Sequence, residues 1–297
     1  MNLPLRIEDE IRFCKVEIRV RGRVQGVGFR PTVWRLARAG GLRGEVLNDA
    51  EGVLLRIGGA APAIDSFLEA LRREPPPLAR IDSIECQPYL GSLPAVFRIA
   101  DSAEGSARTE VAPDAAVCPA CREEIADPLQ RRYRYPFANC THCGPRLSIQ
   151  RAIPYDRART TMAPFDLCSA CRAEYENPAD RRFHAEAIAC HACGPRARLF
   201  RLDGRAMSFD QHSMLDDVDA VCGLLQKGEI VALKGLGGYQ IACDATNVEA
   251  VARLRRLKRR DSKPFALMAR DVEIIRRYCT LGREEATLQF NPEGGRT

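Results

Sequence analysis

The sequence predicts an α+β fold in three parts. A ferredoxin-like domain is expected at residues 13–101, a tandem four-cysteine region at 118–200 after a linker at 102–117, and an incomplete α/β domain at 213–297. Three observations predict it. Strand-type and helix-type apolar patterns alternate in β-α-β-β-α-β order through the first hundred residues. Eight of the 13 cysteines fall in four Cys-x-x-Cys pairs between Cys118 and Cys193. From about residue 213 the pattern turns to helix, short apolar strand, glycine-rich loop and helix.

Residues 1–12 read as a lead-in. Cys14, Val16, Ile18 and Val20 then alternate with Lys15, Glu17, Arg19 and Arg21, the period of a strand with one buried face. A glycine-rich turn, Gly22 to Gly28, leads into a helix in which Pro31 suits the first turn and Val33, Trp34, Leu36 and Ala37 form the apolar side, with Gly40-Gly41 as the stop. Leu42–Asn48 and Val53–Ile57 read as a hairpin turning at Asp49–Gly52. Ile64, Phe67, Leu68 and Leu71 fall at i, i+3, i+4 and i+7, an amphipathic helix ended by Pro75-Pro-Pro77. Ile81–Tyr89 and Ala95–Ala100 complete the first part as two strands, and the small, polar run 102–117 reads as the linker. Arg198–Gly204 suggests a small hairpin closing the cysteine region.

In the third part, Ser213 and Asp216 look like a capping box for a helix whose inner face is Met214, Val218, Val221, Cys222 and Leu225, with Gly228 at its end. Ile230–Leu233 is a short strand expected to belong to a parallel-type sheet. Asn247 can cap a helix over Val248–Arg259 with Val248, Val251, Leu254 and Leu257 inward.

The cysteine pairs carry the most specific chemistry. Cys118-Pro-Ala-Cys121 is followed by eighteen residues and Cys140-Thr-His-Cys143; after twenty-four more, Cys168-Ser-Ala-Cys171, eighteen residues and Cys190-His-Ala-Cys193 repeat the arrangement at an offset of fifty. Two such pairs complete a tetrahedral four-thiolate site, so two structural zinc ions are expected. Disulfides or redox pairs are the competing reading, and nothing at the amino terminus resembles the signal peptide that an oxidising compartment would call for. The spacing leaves open whether ligands pair within or across repeats. His142, His184 and His191 are near enough to substitute as ligands but read as loop histidines. Cys14, Cys86, Cys222, Cys243 and Cys279 read as packing residues, with a site-lining position as the alternative for Cys243, which opens a Cys-Asp-Ala run.

The glycine turn is the second chemical feature. Glycines let backbone N–H groups converge on one anion, and the helix start behind them adds partial positive charge. Arg30 stands at that point, able to grip phosphate oxygens. Net charge is +6, with a pI of about 8.7, which suits a phosphate-bearing ligand and is too weak to call for nucleic acid. No apolar run approaches the roughly 18 residues of a membrane span, and the acidic amino terminus lacks an apolar core; a cytoplasmic protein is expected.

The run Val20-x-Gly22-x-Val24-Gln25-Gly26-Val27-Gly28-Phe29-Arg30 closely resembles the acylphosphatase signature, with Asn48 at the end of the next strand where that family keeps an asparagine. The resemblance implies that Arg30 and the loop amides of Val24–Phe29 hold a phosphoryl group and that Asn48 orients the attacking water. Lys234-Gly235-Leu-Gly237-Gly238 and the pair Lys258 and Arg260 are similar to motifs of YrdC-like domains, implying a site for ATP with magnesium. The whole series of domains, with the cysteine repeat, resembles the HypF carbamoyltransferases of [NiFe]-hydrogenase maturation. That resemblance implies hydrolysis of carbamoyl phosphate, ATP-dependent activation of the carbamate, and transfer to the carboxy-terminal cysteine of a HypE-like partner. It also implies that the chain stops at Thr297 inside the YrdC-like part, short of a transfer domain, with zinc playing no part in the hydrolysis. Two other readings remain: an acylphosphatase fused to zinc modules with a non-functional tail, and a non-enzymatic nucleic-acid binder. The basic run Arg253–Arg260 lacks the interleaved aromatics that the last would use to stack bases.

Overall fold

A computed structural model describes residues 13–103, 109–205 and 216–289. The expectations for 1–12, Ser213, Met214, the tail after Gln289 and the middle of the linker fall outside them. The chain divides into two compact units, the first ending at Pro195 and the second beginning at Arg196.

The first unit opens with β1 (Phe13–Arg23), α1 (Phe29–Ala39), β2 (Arg43–Asp49), β3 (Gly52–Ala60), α2 (Ala61–Arg73), β4 (Arg80–Pro88) and β5 (Arg98–Ile99). The sheet order is β4-β1-β3-β2-β5. Neighbours among the first four strands are antiparallel, and β5 lies parallel to β2. This is the ferredoxin-like plan with one short edge strand added; Ala95–Ala100 shrinks to two paired residues because β5 meets β2 only at Glu45–Val46. The core follows the strand period. Ile18 and Val20 are buried on β1, Val53, Leu55 and Ile57 on β3, and the two helices close over them with Val33, Ala37, Ile64, Phe67 and Leu71. α1 begins at Phe29, capped by Gly28, so Pro31 is its third residue and lies in the first turn as expected. The missing N–H there is still one of the four that a helix start leaves unbonded.

The cysteine region belongs to the same unit. Its two short helices, α3 (Pro119–Ala126) and α4 (Ser169–Glu176), each start directly after the first cysteine of a repeat. The region packs onto α1, where Trp34 meets Phe183 edge-on at 5.5 Å between ring centroids.

The second unit contains α5 (Asp217–Gln226), β6 (Val231–Gly235), β7 (Gly238–Ala242), α6 (Val248–Lys258), α7 (Val272–Arg276) and α8 (Arg283–Gln289). Asp216 is itself the cap of α5, accepting from the Asp219 N–H. Three expectations change here. β6 and β7 form a two-stranded antiparallel hairpin in place of a parallel-type sheet. α6 packs through Ala250 and Leu254, one turn apart, while Val248 and Leu257 are exposed. Cys222 is exposed, as are Cys86 and Cys279, so these are not packing residues. At Arg198–Gly204 the Arg201 N–H donates to the Arg205 carbonyl and the Gly204 N–H to the Arg201 carbonyl, the bonds of a tight turn. Among the described residues no helix is long and apolar enough to cross a membrane.

Candidate functional site

The glycine turn runs from the end of β1 to the start of α1, and its side chains explain its shape. Val24, Val27 and Phe29 are buried in the core, which anchors the loop and leaves only its backbone to face outward. Gly26 and Gly28 take the left-handed conformation, with φ of 70° and 78°. Gln25 is a brace: its amide nitrogen donates to the carbonyls of Asp49 and Gly52, at 2.6 and 2.8 Å, and its oxygen accepts from the Tyr155 N–H at 3.0 Å. Among the described residues the N–H groups of Gln25, Gly26, Val27 and Gly28 donate to no acceptor. Unbonded amides around two left-handed glycines, at the start of a helix, are the elements of an anion cradle.

Arg30 and Asn48 line one small cavity with this loop. Asn48, at the end of β2, is 2 % exposed, and its side-chain oxygen has no partner among the described residues. A buried orphan acceptor costs free energy unless something donates to it. Arg30 is buried and holds two carboxylates, Glu186 at 2.8 Å through Nη2 and Asp156 at 3.1 Å through Nη1, with Ser102 Oγ at 3.4 Å. Burial works against its charge, but Glu186 and Asp156 outweigh that and raise its pKa. A guanidinium has five N–H groups, so donors remain for an anion.

The other wall of the cavity comes from the cysteine region: Thr141, Arg146, Tyr155, His184 and Glu186 all line it. A Cβ on Gly26 would come within 3.2 Å of Arg146 and Tyr155, and one on Gly28 within 3.1 Å of Thr141. Arg146 donates to the Gly26 carbonyl and to the carbonyls of Cys140, Thr141, Cys143 and Pro145, tying the loop to the turn that carries two cysteines. The hydrolytic loop and the cysteine region therefore line one cavity together.

Glu186 was not among the residues singled out in the sequence. Its Oε2 accepts from the Tyr175 hydroxyl at 3.0 Å and the Arg157 N–H at 3.1 Å. Burial raises its pKa, against the pull of Arg30. The one available signal was a broken repeat: at the offset of fifty Glu186 corresponds to Pro136, a lone acid in the otherwise small and apolar run Ala185–Ala189. His184, beside it, is held near a pKa of about 4, first by burial and then by Arg30.

Each repeat gathers its own four sulfurs, Cys118, Cys121, Cys140 and Cys143 in one and Cys168, Cys171, Cys190 and Cys193 in the other, which resolves the pairing as within repeats. Sulfur–sulfur separations are 3.7 Å for Cys118–Cys140 and 3.8 Å for Cys140–Cys143, Cys168–Cys190 and Cys190–Cys193. A tetrahedron with bonds of about 2.3 Å to zinc has an edge of about 3.8 Å, so the donor set fits that ion. None of His142, His184 and His191 belongs to either cluster.

The clusters are linked by an exchange of arginines. Arg131 and Arg132 of the first repeat donate to Cys171 Sγ of the second at 3.3 and 3.4 Å, and to Glu174. Arg181 and Arg182 of the second donate to Cys121 Sγ of the first at 2.7 and 3.8 Å, and to Glu124. Even the backbone contacts correspond: Arg132 Nε donates to Ala189 O and Arg182 Nε to Asn139 O. A four-thiolate zinc site carries a net charge of −2, and these guanidiniums lie where they offset it.

The nucleotide-site candidates lie in the second unit. Lys234, Gly235, Gly237 and Gly238 form the turn between β6 and β7 and its flanks, with the Lys234 ammonium 5.4 Å from the Tyr239 ring centroid. Lys258 ends α6, and Arg260 lies over the Phe265 ring at 5.3 Å and donates to the Pro264 carbonyl at 2.8 Å.

Comparison with known proteins follows this division. Family models match residues 16–99 (acylphosphatase), 117–150 and 167–200 (HypF finger) and 223–292 (telomere recombination, a Sua5, YciO and YrdC family). A carbamoyltransferase HypF from Rhodobacter capsulatus is 56 % identical over 260 residues, which is 87 % of this chain and 34 % of the relative. HypF2 from Cupriavidus necator is 51 % identical over 93 % of the chain and 34 % of its own length. The chain thus spans about a third of the length of these curated relatives. An acylphosphatase from Mannheimia succiniciproducens is 43 % identical over 79 residues, 26 % of the chain and 87 % of the relative. A solved full-length HypF, in a phosphate- and nucleotide-bound form, superposes with a TM-score of 0.86 at 41 % identity, covering 95 % of this chain and 36 % of that one.

Proposed function

We propose, from the premise that the chain belongs to the acylphosphatase family through its first domain and carries the amino-terminal domain series of the HypF carbamoyltransferases, that the cavity around Arg30 and Asn48 hydrolyses carbamoyl phosphate. Phosphoryl transfer asks mainly for positioning and charge stabilisation. The free amides of residues 25–28 and the remaining N–H groups of Arg30 hold the phosphoryl oxygens. Asn48 accepts a hydrogen bond from a water through its orphan oxygen and sets it for attack on phosphorus. The phosphorus–oxygen bond to the carbamoyl group breaks, carbamate leaves with the electron pair, and dihydrogen phosphate keeps both protons of the water. The observation that carries this reading is the meeting, in one cavity, of unbonded amides, a buried guanidinium and a buried acceptor without a partner.

The zinc ions are structural in this reading: four thiolates close each site and leave no position for a water. The second unit handles ATP with magnesium, through Lys234, Gly235, Gly237, Gly238, Lys258 and Arg260, to activate the carbamate made in the first. Delivery to the terminal cysteine of a HypE-like partner belongs to the longer protein these relatives represent. The test is phosphate release from carbamoyl phosphate, with carbamoyl-phosphate-dependent exchange between pyrophosphate and ATP measured on the same chain. Phosphate release without exchange would leave an acylphosphatase fused to zinc modules; absence of phosphate release would overturn the reading.

A further inference from the structure

Resting on the reading of this cavity as a carbamoyl phosphatase, we propose that Glu186 is its specificity residue: its carboxylate accepts a hydrogen bond from the substrate's amino group and so selects carbamoyl phosphate over acyl phosphates that have a methyl there.

A phosphatase that only had to hold a dianion would gain nothing from a buried carboxylate beside it. Like charge at close range opposes binding in a water-poor site, and the loop, Arg30 and Asn48 already supply what hydrolysis asks. Yet the second cysteine repeat places Glu186, 5 % exposed, in the wall of the same cavity and 2.8 Å from the guanidinium that grips the phosphate. Its position is fixed. Three donors converge on it, from Arg30, from the Tyr175 hydroxyl and from the Arg157 N–H, and the Arg157 side chain donates to the Glu186 carbonyl at 2.7 Å. Three donors aimed at one carboxyl group identify an acceptor-only carboxylate, and such a group offers about four acceptor positions. One remains, in a wall that faces the substrate.

Carbamoyl phosphate differs from acetyl phosphate in carrying an amino group where the other has a methyl. That amino group is a donor, and a carboxylate is the strongest uncharged-donor partner among side chains. With the amine bound, the buried charge is fully hydrogen-bonded; with a methyl in its place, one lone pair stays desolvated and unmatched. Sites built to bond a substrate N–H or O–H reject analogues lacking it because the site's own polar group is then stranded. Asp156 does not compete for this role, being a quarter exposed on its side chain and engaged with the other nitrogen of Arg30.

The experiment compares carbamoyl phosphate and acetyl phosphate hydrolysis by the parent chain and by Glu186→Gln, which keeps the shape and one acceptor oxygen but loses the charge, and Glu186→Met, which loses both. The expected result is a ratio of kcat/KM values, carbamoyl over acetyl, that falls roughly tenfold or more in Gln and further in Met, the scale of one hydrogen bond to a charged group. A purely structural role, in which Glu186 only holds Arg30, would lower both substrates together; an unchanged ratio overturns the proposal while leaving the phosphatase reading intact. If the parent hydrolyses neither substrate, it is the functional reading that fails. Should the variants not fold, inhibition of the parent chain decides. Phosphonoacetamide should bind at least tenfold tighter than acetonylphosphonate, and equal affinity would overturn the proposal.

Discussion

At the scale of single residues, Arg30 and Asn48 should fail differently. Arg30 contacts the anion in ground and transition states alike, so Arg30→Lys, which keeps charge but loses the fork, should weaken phosphate affinity and turnover together. Asn48→Ala removes an uncharged acceptor and should lower kcat by about a hundredfold with KM little changed, the usual size for loss of a positioning contact. Steady-state kinetics on carbamoyl phosphate, with phosphate as inhibitor, checks both; parental rates in folded variants would mean the glycine turn is only a turn. Truncation to Arg30→Ala is a poorer test, because it strands the buried Glu186 and should destabilise the fold by about 3–5 kcal/mol. His184 adds a pH dependence. Its folded pKa of about 4 lies below the ordinary histidine value, so the unfolded chain binds more protons between the two. Stability should be complete above pH ~6.5 and decline as pH falls from there toward about 4. His184→Asn, which tolerates the left-handed backbone at φ 51°, should flatten that decline in denaturant titrations read at several pH values.

At the scale of elements, the two cysteine repeats hold each other. Arg132 is fully buried and, among the described residues, bonds across to the second repeat and to Glu124. Arg132→Met should therefore lower stability by about 3–5 kcal/mol, the scale for breaking a buried charge network, and should speed zinc release from the second repeat more than from the first. Arg182→Met should do the reverse. Release can be followed with a chromophoric chelator, using cadmium exchanged for zinc and monitored by NMR to tell the sites apart; equal effects on both sites would argue against the exchange of arginines as a charge-balancing device. The repeat itself was legible in the sequence, since the offset of fifty relates arginines as well as cysteines. Its crossed wiring was not, because Arg131 and Arg132 read locally as ordinary surface charge beside their own cysteines. The same limit applied to α6. Its apolar positions Val248, Val251, Leu254 and Leu257 satisfy a helical period, yet Ala250 and Leu254 do the packing, because a period gives candidate faces and the neighbouring elements choose among them.

At the scale of the molecule, hydrolytic domain and metal region form one unit, so metal loss should reach the active cavity. Stripping zinc with a chelator should release the wall that carries Tyr155, Glu186 and Arg146, raise amide exchange at residues 24–30 and cut carbamoyl phosphate hydrolysis in proportion to zinc removed. Hydrolysis that survives full removal would show that the first domain needs no such wall. In the second unit, buried apolar side chains among the described residues are few, Ala220, Val231, Ala250 and Leu254, so amide exchange over 216–289 should be markedly faster than over 13–101. The ferredoxin-like plan was readable because its strands and helices alternate within one stretch of chain. The composite cavity was not, because Arg30 and Glu186 lie 156 residues apart and nothing in either neighbourhood names the other.

The crossed arginines also bear on how this region can change over generations. A duplicated module normally frees one copy to drift while the other keeps the original task. Here each copy supplies its own four sulfurs, but a sulfur of each cluster is hydrogen-bonded by the other copy's side chains, Arg132 at Cys171 and Arg182 at Cys121. A substitution in one half is felt first by the ion in the other half. Neither copy can be shed or repurposed alone, so the pair is expected to be inherited, lost or altered together.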